Sequence, residues 1–388
     1  MHQPTTPERP YTDPWNQPLA QRLHQLHQCE TRVAYYYESA NNSTFRYRAY
    51  NMCQVLNDAP EAGVSAACFF RTDLHAINKL ADAAQVLVIC RSGWDQDVSR
   101  LLACFRARGK PVYFDCDDFV FNTDYTQLLV QSLDLDASDP RVWDDWFGMI
   151  GRMGQTLRQC DAGITTNPTL ARQMADYSGK PVAVVPNFMN REQLDMSAAV
   201  FEEKQRAGFQ GDGTLCLGYF SGSPSHKNDF AIAEPALATL LDEMPELRLM
   251  MVGYIEPGPA LAPFASRIIR QPFHDYVNLQ RLISTVDFNL MPLQANAFTD
   301  CKSELKYFEA AAVGTLSIAS PAPNHLACIT HGQNGYLSRA HQWTRTIRDA
   351  VGRMADYPAM AVAARDHALQ RYGWMHQREA ILRALQLH

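Results

Sequence analysis

The chain has 388 residues, enough for two or three domains and too many for a single-motif mini-protein. Hydrophobic residues make up 46% of it and charged residues 20%, which excludes a disordered or collagen-like chain. Lys and Arg number 35 against 41 Asp and Glu, and the net charge of -6 leaves no global field to draw nucleic acid or anionic lipid, while a local basic pocket stays open.

In chain order, a polar, Pro-rich leader over residues 1–30 begins MHQPTTPERPYTDPWNQ and lacks the apolar core of a signal peptide. No run of 18 apolar residues follows, so the expectation is a cytoplasmic protein. Short β-branched and aromatic runs then read as strands: RVAYYYE from Arg32, VSAACFF from Val64, QVLVIC from Gln85, PVYFD from Pro111, DAGITT from Asp161 and PVAVV from Pro181. Between them, Asp95 to Arg108 and Pro168 to Tyr177 carry apolar residues at helical spacing, and Asp134 to Cys160 reads as helical toward its end. This alternation predicts a parallel sheet. The polar segment from Arg191 to Gly213, ending in GFQGDG, reads as a linker. A second α/β unit follows, with LCLGYF from Leu215, LRLMMVG from Leu247, VDFNLMP from Val286 and TLSIAS from Thr315 as strands. The last stretch, Ala359 to Leu387, is one helical pattern broken at Tyr372, Gly373 and Trp374, so a kinked closing helix is expected. The ten cysteines show neither a C-x-x-C pair nor zinc-ligand spacing and read as reduced, mostly buried thiols.

Chemistry concentrates in two strand-to-helix loops of the second unit. One is PLQANAFTDCKSELKYFEAAAVG from Pro292, with Thr299 or Ser303 available as helix cap and Gly314 as terminator. There Lys302, Lys306 and Glu309 fall on neighbouring positions of one helix flank. Cations near a helix start oppose the helix dipole, an oddity that points to an anionic ligand. An exposed helix with an ordinary Lys306–Glu309 pair is the plain alternative. The other loop is GYFSGSPSHKNDF from Gly218, whose small residues let backbone N–H groups approach a phosphate while Lys227 supplies a compact charge.

Together these segments resemble the donor-binding domain of the GT-B glycosyltransferases known as group 1 or family 4. KSELKYFEAAAVGTLSIAS is similar to that family's signature helix and strand, GYFSGSPSHKNDF to its phosphate loop, and VVPNFMN to its interdomain segment. The resemblance implies an α/β GT-B fold, two Rossmann-like domains facing each other across a cleft. Its parts would be the leader 1–30, an acceptor-side domain 31–205, a donor-binding domain 212–362, and a C-terminal helix 363–388 packing back on the first domain. It implies a glycosyltransferase that moves a sugar from a nucleotide sugar to a glycan, lipid-linked or other hydroxyl acceptor with retention, with no cofactor and no metal ligand. On the donor side it implies Gly222, Ser223, His226, Lys227, Lys302, Ser303, Lys306 and Glu309, with Lys227 and Glu309 carrying catalysis and Glu309 holding the ribose.

On the acceptor side, the loop NNSTFRYR after the first strand offers Ser43, Thr44, Arg46 and Arg48, and the end of another strand offers Asp115, Asp117 and Asp118. Capping and surface ion pairing are the plain readings of these residues. The implied partners are a nucleotide sugar and a glycan or glycolipid acceptor, without nucleic acid. Peripheral association with the inner face of a membrane stays open, as does the oligomeric state. The sequence departs from the family at four places: Phe188 stands where the interdomain segment usually has glycine, Cys301 where the first glutamate of its E-x7-E motif belongs, Gly222 where an arginine is usual, and Asp115-Cys116-Asp117-Asp118 where a His-Asp is common. Two alternatives follow: a non-catalytic sugar-nucleotide or glycan binder on the same fold, and a metal-dependent GT-A enzyme, since Asp115-Cys116-Asp117 spells D-x-D.

Overall fold

A computed structural model describes residues 1–387 except 60, 62, 137, 224 and 225. Pro224 and Ser225 of the phosphate loop therefore lie outside the described residues. The strands are β1 (Thr31–Tyr36), β2 (Val64–Phe69), β3 (Val86–Cys90), β4 (Val112–Cys116), β5 (Ala162–Thr165), β6 (Val182–Val184), β7 (Leu215–Ser221), β8 (Leu247–Gly253), β9 (Ile268–Gln271), β10 (Phe288–Met291), β11 (Leu316–Ala319) and β12 (Tyr336–Leu337). They form two six-stranded sheets, ordered β2-β1-β3-β4-β5-β6 and β12-β11-β10-β7-β8-β9. Every pairing within them is parallel.

The inner strands are apolar without alternation because helices cover both faces; all of VLVIC in β3 and of LCLGYFS in β7 is buried. Helices start where the sequence provides caps: the Asp95 side chain accepts from Val98 N–H, Asn167 from Leu170 N–H and Asn190 from Gln193 N–H. Strand order reverses between β1 and β3 in the first sheet and between β7 and β10 in the second. Crevices at such reversals, beyond the carboxyl ends of strands, are where open α/β sheets bind ligands. The loops after β1, β3, β4, β7 and β10 are those that carry the charged residues.

The structure corrects several readings. Arg191–Arg206 is a helix rather than a linker, with Leu194, Met196, Ser197, Val200, Phe201 and Lys204 on its buried stripe against the helix Tyr276–Ser284. Neither Thr299 nor Ser303 caps the signature helix, which runs Leu305–Ala312 without a side-chain cap. Lys302 follows a separate 3-10 turn, Thr299–Cys301, with extended backbone, so only Lys306 and Glu309 share the helix. Gly314 does end it, in a left-handed conformation (φ 70°) where an added Cβ would meet the Phe209 ring at 2.8 Å. The closing segment breaks at Gly373: the helix Tyr357–Tyr372 packs on the signature helix and β11, and beyond the break the turn Trp374–His376 and the helix Arg378–Ala384 pack on the first half, against the helix Asn51–Asn57 and, for the latter, β6. The leader is structured, with a helix at Leu19–Leu26. Its earlier residues lie on the second half, where Arg9 exchanges two hydrogen bonds with Asn278 at 2.9 Å. Trp15 then sits among Phe45, Tyr50 and Tyr276, bridging the halves.

Candidate functional site

The loop after β10 and the loop after β7 meet around two lysines. The Lys306 ammonium lies 4.7 Å from the centre of the Tyr219 ring, on β7, and has no hydrogen-bond or ion-pair partner among the described residues. Burial pushes its pKa down to about 8, with Lys302 adding to the shift and Asp229 and Glu309 opposing it. Beside it, His226 Nδ1 is 3.2 Å from an Asp229 oxygen, and burial together with Lys306 lowers the imidazole to about 4, so His226 is neutral at pH 7. The other Asp229 oxygen accepts from the Gln294 N–H at 3.1 Å, tying the two loops to each other. At Gly222, where the family's arginine is missing, an added Cβ would meet nothing within 4 Å. Ser221 Oγ bonds the Ser223 carbonyl at 2.8 Å and holds this turn.

From the first sheet, the ends of β3 and β4 supply a facing set. Arg91, immediately after β3, has a left-handed backbone (φ 35°), and its Nη1 donates to Thr44 Oγ1 at 3.0 Å, to Asp117 at 2.9 Å and to Asp118 at 3.1 Å. The second Asp118 oxygen accepts from Lys302 Nζ at 3.2 Å, so the carboxylate joins the two halves. Burial acts to raise the Asp118 pKa, but Lys302 and Arg91 outweigh it and hold the group at about 2. Ser303 Oγ accepts from Asn187 at 3.3 Å, a further link between the halves.

The remaining residues named from sequence are placed differently. Lys227 stands at the rim, its side chain 71% exposed and paired with Asp134 at 2.9 Å. Glu309 is 5% exposed, and its Oε1 accepts from Tyr47 Oη at 2.5 Å and Gln193 Nε2 at 2.9 Å, with Arg46 at 3.5 Å. All three contacts fall on Oε1, and Oε2 has no hydrogen-bond partner among the described residues. Arg48 and Asp115, 0% and 1% exposed, form a two-bonded ion pair at 2.7 and 2.9 Å and present no surface to an acceptor. The reason is local: Asp115 lies within β4, and Arg48 turns into the core to reach it and the Val185 carbonyl. Ser43 stays exposed, bonded to Asn41. Of the D-x-D triplet, Asp115 pairs with Arg48 and Asp117 with Arg91, while Cys116 is buried. Sequence reading missed Arg91 and Gln193; an arginine directly after the apolar run QVLVIC was the available signal for the first. A separate cavity of about 300 Å³, lined by Trp15, Tyr50, Gln54, Asn57 and Arg191 among others, involves none of the donor-side residues.

Residues 215–356 match the family model described as "Glycosyl transferases group 1". No curated protein matches the chain in sequence. Among solved structures, HepE of Anabaena, in complex with UDP and glucose, superposes with a TM-score of 0.62 at 12% identity, covering 91% of this chain and 99% of that one. Sucrose-phosphate synthase of Thermosynechococcus elongatus gives 0.57 at 13%, covering 91% and 96%. An α,α-trehalose-phosphate synthase (UDP-forming) of Burkholderia vietnamiensis gives 0.58 at 10%, again covering 91% and 96%. The fold is GT-B. The part that is similar to group 1 glycosyl transferases, residues 215–356, carries the phosphate loop and the signature helix. Among the described residues no helix is long and apolar enough to cross a membrane.

Proposed function

We propose that the protein transfers a sugar from a nucleotide-sugar donor to a hydroxyl of a glycan or glycolipid, with retention at the anomeric carbon. The observation that carries this is Lys306, an unpaired cation at the strand-order reversal of the second sheet, next to Lys302 and a glycine-serine turn. The two lysines would hold the diphosphate, with Ser303, Gly222 and Ser223 lining its approach, while His226, neutral, gives its one N–H to Asp229 and fixes the loop beside them. As the glycosidic bond breaks, negative charge grows on the diphosphate, and fixed cations in a site shielded from water stabilise that charge more than they stabilise the ground state. Lys227 would act at the rim, and Thr44 and Asp117 stand on the acceptor side. HepE is solved with UDP and with UDP-glucose, which makes uridine nucleotides the first donors to try. The test is thermal stability with a panel of nucleoside diphosphates and their sugar conjugates, since only a ligand that prefers the native state raises the melting point. A raised melting point in the wild type that Lys306→Ala abolishes is the expected result; no response to any member overturns the reading.

A second reading, a sugar-nucleotide binder without turnover, is favoured by one feature: Cys301, 1% exposed, replaces a family glutamate. Release of nucleoside diphosphate from a bound donor in the presence of acceptor separates the two.

A further inference from the structure

The charges around the lysines balance before any ligand arrives. Lys302, Lys306 and Arg91 are faced by Asp117, Asp118 and Asp229. Such a set has no net attraction for a diphosphate unless one carboxylate leaves. Asp118 is the one placed to do so. Asp229 is 3% exposed and fixed by His226 and by the Gln294 N–H, and Asp117 is held by Thr44 as well as Arg91. Among the described residues Asp118 accepts side-chain hydrogen bonds only from the two cations, one through each oxygen, and its side chain is 21% exposed.

On the cation side, Arg91 is committed through a single nitrogen: Nη1 serves all its acceptors, whereas Nε and Nη2 have no hydrogen-bond partner among the described residues. Its left-handed backbone is a conformation that a non-glycine residue adopts at a cost and keeps only when its surroundings enforce it. The N–H of Arg91 bonds the Asp115 carbonyl at 2.7 Å, and this fixes the side chain over the cleft end of β3.

We propose that Asp118 is a resident counter-ion at the diphosphate position, bridging Arg91 of the N-terminal half and Lys302 of the C-terminal half until a phosphoryl group replaces it. The proposal rests on the donor reading above and adds to it a specificity element. Arg91 becomes a cation supplied from the opposite domain, in place of the arginine missing at Gly222. A phosphoryl group presents several oxygens to the same two donors and carries more charge than a carboxylate, so it competes well for both. A nucleoside without phosphate has nothing to offer at this position. Asp118 thereby sets a threshold that only a ligand with enough negative charge can pass.

The test is titration calorimetry with UDP, uridine and inorganic pyrophosphate on the wild type and on Asp118→Asn, Arg91→Ala, Lys306→Ala and the double variant Asp118→Asn/Arg91→Ala. Melting temperature of each variant reports folding. Removing the competitor should tighten UDP and pyrophosphate by about tenfold in Asp118→Asn and leave uridine unchanged, and Arg91→Ala should weaken UDP by about tenfold. In the double variant the gain from Asp118→Asn should shrink, because the two residues act at one position. A merely structural Asp118 gives the opposite sign: UDP binds no better, or worse, in a folded Asp118→Asn, and that result overturns the proposal. If Asp118→Asn fails to fold, the decision falls to Arg91→Ala, where unchanged UDP affinity overturns it. Wild type that binds UDP and loses it in Lys306→Ala, while Asp118→Asn shows no gain, rejects this proposal and keeps the donor reading. Wild type that binds neither UDP nor pyrophosphate rejects this proposal, and the donor reading then stands or falls on the full nucleotide panel.

Discussion

Tyr47 gives its hydroxyl hydrogen to Glu309 Oε1 at 2.5 Å, and through that contact the acceptor-side loop closes over the carboxylate of the signature helix. Both residues are buried, 3% and 5% exposed, and Gln193 and Arg46 complete the shell. A family residue expected to meet the nucleotide is thus also a keystone of the domain junction.

Glu309→Ala should therefore cost stability as well as donor binding. It strands the Tyr47 hydroxyl, the Gln193 amide and the Arg46 charge together, and losing one member of such a buried set costs roughly 3 kcal/mol or more. Tyr47→Phe removes one bond and should cost about 1 kcal/mol. Chemical denaturation of the two variants checks the order; equal losses would mean that the carboxylate is not the centre of the network.

Arg48→Ala should be among the most destabilising changes in the N-terminal half. It leaves Asp115 charged and unpaired at 1% exposure, for which about 3–5 kcal/mol is expected, enough to unfold a marginal domain. Arg48→Ala together with Asp115→Ala should recover part of the loss, and urea melts of both proteins measure it.

Lys306 predicts a pH dependence of binding. Its ammonium titrates near 8 in the free protein, and a bound diphosphate stabilises the charged form, so affinity should fall as pH rises above 8, by up to about tenfold per unit. The diphosphate itself is fully ionised there, its last proton leaving near pH ~6. Lys306→Met should bind weakly and show a flat profile between pH 7 and 9.5. Lys227, exposed at the rim, should matter far less, with Lys227→Ala retaining affinity within about threefold.

Lys204 predicts a pH dependence of folding. Its ammonium is buried, bonded to the Val286 carbonyl at 3.2 Å and Thr315 Oγ1 at 3.0 Å, and burial lowers its pKa from 10.5 to about 8. Between those values the unfolded chain holds a proton that the native state has lost, so the Lys204 contribution to stability rises with pH; below 8 the penalty is present in full. Relative to Lys204→Met, the wild type should gain on the order of 3 kcal/mol from pH 8 to 10.5, read from unfolding curves of both proteins. A constant difference would show that the native lysine keeps its ordinary pKa.

Ten of the twelve strands stand in the sequence as apolar runs, because central parallel strands leave little room for polar residues. β9 and β12 do not: Ile268–Gln271 is only half-buried and Tyr336–Leu337 spans two residues, so neither edge strand carries a pattern. The helix Arg191–Arg206 resembled a linker because its exposed face is dense in charge, although Leu194, Ser197, Val200, Phe201 and Lys204 recur at helical spacing. At the site, Lys302, Lys306 and His226 were legible from strand-to-helix loops. The bonding of Glu309 Oε1 into the domain junction was not, since it depends on Tyr47, 262 positions away, and no local pattern encodes such a meeting.

The chain passes between the halves twice more after the leader, through Val185 to Asn190 and again at Gly373. These two passages touch: Met189 N–H bonds the Tyr372 carbonyl at 2.9 Å, and Met189 and Gly373 pair as an isolated bridge. Neither passage can swing without the other, so the two halves share a single pivot. An added Cβ at Gly373 would meet the Leu369 carbonyl oxygen at 2.6 Å and the Met375 sulfur at 2.5 Å. One methyl group there would press on the joint that both passages share, far along the sequence from Arg91 and Asp118.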